Sequence, residues 1–198
     1  MADHNPITSP RNVLDFWFGA PGSSEFGAPR PAWFRQSDDF DAEIKTRFGQ
    51  AVEAALADGL DDWCQDIDGT LALILLLDQF PRNIFRGTAK MFAGDSRARS
   101  VAAKAIAVGA DKTLLPVQQT FLYLPFEHSE DAEDQAYCVQ LFEALPDDVA
   151  EKANWLDYAI RHQAIINRFA RFPHRNEVLG RPSTPQEVEF LKQPDSGF

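Results

Sequence analysis

Apolar residues recur along this chain at helical spacing, and no segment alternates apolar and polar positions long enough to read as a strand. Thr8 or Ser9 is placed to cap a first helix that carries Val13, Leu14, Phe16, Trp17 and Phe18 and stops at Gly19. A Gly- and Pro-rich loop over Ala20–Ala32 follows, and Pro31-Ala32-Trp33-Phe34 is expected to dock it onto the core. Ser37-Asp38-Asp39 opens a second helix whose stripe is Phe40, Ile44, Phe48, Val52 and Leu56, closed by Gly59. Trp63 sits in an acidic connector. Asp66 or Asp68 caps a third helix through LALILLLDQF, with Pro81 as its stop. Asp95 caps an alanine-rich fourth helix that ends at Gly109. Pro116 opens a fifth, VQQTFLYL, which Pro125 is expected to stop.

Ser129 begins a sixth helix with an acidic first turn and an apolar face of Tyr137, Cys138, Leu141, Phe142 and Leu145. A long seventh runs from about Val149 to Arg171 and ends before Pro173. Thr184-Pro185-Gln186-Glu187 is a capping box that starts a short terminal helix with Val188, Phe190 and Leu191. The pattern predicts an all-α fold of about eight helices in antiparallel pairs. It also predicts one domain over 1–198, with a flexible lead-in at Met1–Ile7 and a short helix and tail over 183–198.

Composition narrows the function classes. With 44% apolar residues and 16 Phe, the chain can bury a sizeable core. Its net charge of −11 argues against nucleic acid and anionic membrane surfaces as partners. The longest apolar run, Leu71–Leu77, is far short of the ~20 residues that span a bilayer. The N-terminus has no apolar run of signal-peptide type, and Cys64 and Cys138 lack paired spacing. Both cysteines read as small buried hydrophobes in a reducing cytoplasm.

Against that acidic background one stretch stands apart. Arg161–Arg181 holds five arginines, two histidines and one acid, Glu177. At 100° per residue, Trp155, Tyr158, His162, Ile165, Ile166 and Phe169 share one broad face of the long helix. His162 lies near its centre, while Arg161, Arg168 and Arg171 lie on the adjacent edge. The end of this helix, Phe172-Pro173-His174-Arg175-Asn176, echoes Phe80-Pro81-Arg82-Asn83 at the end of the third, and each precedes a glycine. Two copies fit a repeated helical hairpin, and they fit equally a shared stop signal.

These residues carry a resemblance. LALILLLDQFPRNIFRGT, YLPFEHSEDAEDQ, RHQAIINRFARFPHRNEVLGRPST and VLDFWFG resemble the bacterial domain of unknown function 924 family over nearly the whole chain. The resemblance implies a tetratricopeptide-like, right-handed helical array, and it implies no activity.

Three constellations hold chemistry. His162 is either a core histidine bonded to a polar neighbour or a buried base or ligand with a tuned pKa. Arg82, Arg86, Arg168, Arg171 and Arg175, with Asp78, Asn83 and Asn176, form a candidate binding set for a carboxylate or phosphate. The competing reading has Arg171, His174 and Arg175 complementing the helix C-terminus. Glu127 and His128, between Pro125 and the next helix, are a candidate acid/base pair. With His162 or His174 they could also ligate a metal, and in a third reading the local acids only lock the arginines. With no HExxH, no ExxH and no cysteine ligand spacing, no metal or cofactor is assigned. No hydrolase, P-loop or dinucleotide motif is present.

The expected function is binding, or enzymatic conversion, of a small anionic molecule at an Arg/His-lined site. Glu127, His128, His162 and His174 are its reactive groups. The alternative is a helical module that binds a peptide or protein without catalysis. Oligomeric state stays open.

Overall fold

The computed structural model describes residues 8–194 and 196–197, so the predicted lead-in at Met1–Ile7 lies outside the described residues. Among those described, every regular element is helical. In order, α1 is Pro10–Phe18, α2 Asp38–Leu56, α3 Ile67–Leu77, α4 Gln79–Ile84 and α5 Asp95–Ala107. Then come α6 Pro116–Glu127, α7 Ala132–Glu143, α8 Lys152–Phe169 and α9 Pro185–Phe190. Short 3-10 turns occupy Pro31–Trp33, Asp61–Gln65, Ala89–Phe92, Ala110–Thr113 and Pro173–Arg175. The all-α class is as expected. The chain divides into two compact units: one runs to Arg86 and resumes over Lys90–Pro125, the other comprises Gly87–Ala89 and everything from Phe126 onward.

The first unit is built on α3. Leu71 to Leu77 are all fully buried, and α1, α2 and α5 pack against this helix. A helix apolar on every side must be wrapped on every side. Trp17 of α1 contributes the largest side chain of this core, with ring centroids 5.3 Å from Phe80 and 5.5 Å from Phe121. Trp33 Nε1 donates to the Trp17 carbonyl (3.0 Å), so Trp33 docks the loop, while Phe34 stays 65% exposed.

Two prolines do not act as stops. The predicted third helix breaks at Asp78, three residues before Pro81, and Pro81 falls in the first turn of α4. An amide there has no intrahelical acceptor, so proline loses nothing. Pro125 lies inside α6, which continues through buried Phe126 and Glu127. Its ring forfeits the amide bond to the carbonyl four residues back and crowds that carbonyl, yet the helix continues for two more residues.

Local caps follow the sequence more closely. Ser9, Ser37, Asp66 and Thr184 each cap a helix through the side chain. The α7 cap is Asp131, not Ser129, and α5 begins at Asp95 behind Gly94. A Cβ on Gly94 would stand 2.2 Å from the Leu77 carbonyl oxygen, so only glycine allows this approach. At the end of α2 the left-handed residue is Asp58 (φ 60°) in place of Gly59. Cys64 is exposed, because its turn Asp61–Gln65 has no buried residue; Cys138 is fully buried as expected.

In the second unit α7 packs against α8. Trp155, Ala159, His162, Ile165 and Ile166 form the buried face of α8, while Tyr158 lies 43% exposed. The helix starts at Lys152 and ends at Phe169, and the left-handed backbone of Ala170 (φ 54°) stops it before Pro173. Phe172 is fully buried against Ile165 and Ile166. No helix among the described residues is long and apolar enough to cross a membrane.

Candidate functional site

In the second unit, ionisable groups gather around the buried His162. This residue occupies the middle of α8, where the 3.6-residue period aims it inward, and it is 4% exposed. Its Nδ1 lies 2.9 Å from the carbonyl oxygen of Tyr158, one turn earlier. A carbonyl can only accept, so Nδ1 carries the proton and Nε2 presents the lone pair. Glu127 Oε1 lies 3.5 Å from the same Nδ1, and Glu127 is 5% exposed. The pair joins the end of α6 to the middle of α8.

Burial is the first cause that lowers the His162 pKa, to about 3 from the usual 6.5. The hydrogen bond to Tyr158 works the other way, but His128, Arg175 and His174 add positive potential and lower it further. His162 is therefore neutral at physiological pH. These neighbours also establish that Glu127, His128, His162, His174 and Arg175 share one environment. His128 and His174 are half-buried; Arg175 is buried, its guanidinium carbon 4.4 Å from the Phe172 ring centroid. The Phe172 ring lies 5.6 Å from each of His162 and His174 and forms an apolar wall between them.

The wider arginine set is differently used. In the first unit, Asp78 is fully buried and accepts from Gln79 Nε2 (2.6 Å), while Arg82 bonds Asp95 through both terminal nitrogens (2.8 and 2.9 Å) and approaches Asp78 at 3.1 Å. Burial works against the Arg82 charge, but Asp78 and Asp95 more than offset it and raise its pKa. Asn83 and Arg86 both donate to Asp41 in the first turn of α2 (2.7 and 2.9 Å). In the second unit, Arg171 forms a two-point pair with Glu187 (2.6 and 2.8 Å) and donates to the Pro182 carbonyl. Arg168 is exposed and lies over Phe169 and Phe190. Asn176 is buried and bonds Ser183 and Arg181. Arg82, Arg86 and Arg171 thus meet carboxylates of their own unit. The echoed motifs differ locally too, since Phe80–Asn83 is α-helical and Pro173–Arg175 is a 3-10 turn.

Three residues of this neighbourhood were not singled out as site residues by the sequence. Glu130 receives both terminal nitrogens of Arg181, 51 positions away, at 2.6 and 2.9 Å, and also the Phe172 amide at 2.8 Å. Burial opposes the charge of Glu130, yet these bonds, with Arg175 nearby, hold its pKa below the usual range. This pairs Glu130, just before α7, with Arg181, which lies beyond α8. Gln135 is fully buried on α7 and bonds the turn beneath Glu127. Cys138 lies near Glu127, and burial first, then that carboxylate, pushes its thiol pKa well up.

Two open surface clefts, about 420 and 380 Å³, lie in the first unit, and none of the predicted site residues lines them. Among the described residues no three His, Cys, Asp or Glu side chains group as metal ligands.

The fold and this buried cluster define an all-helical protein with an ionisable centre between helices. The chain belongs to the bacterial proteins of unknown function DUF924, whose family model matches residues 13–195. It is also similar to the structure of a protein of unknown function from Agrobacterium tumefaciens: 39% identity, TM-score 0.80, covering 92% of this chain and 96% of that one. No curated protein matches it.

Proposed function

We propose that the second unit binds a small anion, a carboxylate or phosphate, at the cluster of His128, His162, His174 and Arg175, with Glu127 and His162 handling a proton. One observation carries this reading. Side chains from the end of α6, the middle of α8 and the turn after α8 converge on one buried Glu–His contact, in a chain whose net charge is −11. Cationic and imidazole groups gathered in low dielectric against so negative a background make a focus for an anion. Arginine supplies the planar fork that carboxylate and phosphate match. Arg82, Arg86 and Arg171 meet carboxylates and Arg168 lies exposed over Phe169 and Phe190, so the binding set contracts to Arg175 and the histidines.

The chemistry follows from the resting state of His162. With a pKa of about 3 it is a weak base. A bound anion opposes the positive potential of its neighbours and favours the imidazolium, so binding takes up a proton. Charged in this way, His162 is the group that can return a proton to the ligand. Affinity therefore rises as pH falls toward the pKa that His162 takes in the bound state.

The test is thermal shift and calorimetric titration with inorganic phosphate, acetate and malonate, in buffers of different ionisation enthalpy. The expected result is a Tm increase with at least one anion, proton uptake on binding, and loss of both in Arg175→Gln. No shift across the panel, or an equal shift in Arg175→Gln, overturns the reading.

A further inference from the structure

We infer that Gln135 is the positioning residue of the Glu127–His162 pair: its carboxamide, held on α7, fastens the turn that carries Glu127 and His128. This rests on the reading of that pair as the proton-handling centre of an anion site.

The need for such a fastener arises from the backbone. The last carbonyls of a helix have no intrahelical donor, and α6 ends at Glu127. The turn that follows is not open to water, since Phe126, Glu127 and Ser129 are 3, 5 and 4% exposed. Buried carbonyls require protein donors. The Ser129 amide reaches Phe126 O at 3.1 Å, and Gln135 supplies further donors. Its Nε2 lies 2.6 Å from Glu127 O, 2.7 Å from Ser129 O and 3.3 Å from Phe126 O. An amide nitrogen has two hydrogens, so the two short contacts take them and the third is the weaker.

The orientation of this amide follows from the same contacts. Turned over, it would set Oε1 against three carbonyl oxygens, so Nε2 must face them. Oε1 is buried and accepts no hydrogen bond among the described residues, so the side chain's polar role rests on Nε2. Gln135 itself is fully buried on α7, one of the two helices that pack together in this unit. It therefore transmits the position of α7 to the main chain of Glu127 and Ser129, on either side of His128. Glu127 reaches His162 Nδ1 at 3.5 Å, a contact that a small shift of this turn would lengthen. The groups gathered around buried His162 are Glu127 and His128 from this turn, His174 and Arg175 from the turn after α8, and the Tyr158 carbonyl within α8. Two of these five lie on the segment that Gln135 holds.

Two variants test the assignment. Gln135→Met has nearly the same shape and no donor. Gln135→Glu has the same shape and, when protonated, one O–H donor. The readout is the long-range ¹H–¹⁵N spectrum of the His162 ring from pH 4 to 8, on protein checked for folding by far-UV circular dichroism. In Gln135→Met the His162 ring shifts are expected to depart from the parent's as Glu127 and His128 move, with Nδ1–H still held by the Tyr158 carbonyl, and the phosphate-induced Tm shift is expected to fall at least threefold. In Gln135→Glu the parent pattern is expected while the introduced carboxyl is protonated, and it is lost as that carboxyl ionises. A His162 spectrum identical to the parent's at every pH in folded Gln135→Met overturns the assignment. Should Gln135→Met not fold, a His162 spectrum in Gln135→Glu that ignores the ionisation of the new carboxyl overturns it equally. Absence of any anion-induced shift in the parent would instead remove the binding reading and leave the His162 readout intact.

Discussion

His162 Nδ1 donates to the carbonyl of Tyr158 at 2.9 Å, within the same helix, and this bond fixes which face of the imidazole is basic. The consequence for stability can be signed. His162 titrates at about 3 when folded, against the usual 6.5. Between those values the unfolded chain holds the proton and the folded one does not. Its stabilising contribution is complete above pH 6.5 and is lost as pH falls toward 3, at a slope of at most about 1.4 kcal/mol per pH unit. The quantity to measure is the difference in unfolding free energy between the parent and His162→Gln across pH 4.5–8. That difference is predicted to narrow as pH falls through this window; a constant difference contradicts the assignment.

The arginines of the first unit are predicted to act as structural pairs of unequal weight. Removing Arg82 leaves the fully buried Asp78 without the guanidinium that faces it. Breaking a buried pair costs about 3–5 kcal/mol. Arg86 is 39% exposed on its side chain, and Asn83 still donates to Asp41 when it is gone. An exposed pair contributes about 0–1 kcal/mol. Urea denaturation of Arg82→Ala and Arg86→Ala is the check, and similar costs for the two would contradict the pairing.

Glu187 is the anchor of the C-terminal segment. It is 2% exposed, accepts two bonds from Arg171 and closes the capping box with Thr184. The Arg171 hydrogen bond is the first cause that lowers its pKa, to about 2 from the usual 4.5. A depressed carboxylate stabilises fully above pH 4.5, and the contribution is lost as pH falls toward 2. Glu187→Gln is expected to cost about 2 kcal/mol at pH 7, on the scale of charged hydrogen bonds. Thr184→Ala is expected to cost about 1 kcal/mol, the usual value of a cap. The Glu187→Gln deficit should shrink between pH 4.5 and 2.5, which a pH series of denaturant melts would reveal.

What could be read from sequence was local or periodic. Ser9, Ser37, Asp66 and Thr184 are caps because a side chain answers an amide two or three residues on, and such bonds need no tertiary context. The inward placement of His162 followed from helical period alone. Pro81 and Pro125 misled because the cost of proline depends on where in the helix it falls and on what the next residues bury. Glu130 and Gln135 escaped notice as site residues because their partners are set by tertiary packing. Arg181 lies 51 positions from Glu130, and no spacing rule reaches that far. Arg171 and Arg175 are four apart in sequence, yet one is spent on Glu187 and the other lies buried beside His162. Charge pattern alone could not separate them.

The central claim is that a neutral, Nδ1-protonated His162 sits buried beside Glu127 and amid His128, His174 and Arg175. The most direct measurement is the long-range ¹H–¹⁵N spectrum of the His162 ring in the ligand-free parent protein from pH 8 to 4. The predicted result is a neutral ring protonated at Nδ1 with no midpoint above pH 4. A midpoint near 6.5, or a ring protonated at Nε2 when neutral, would contradict it.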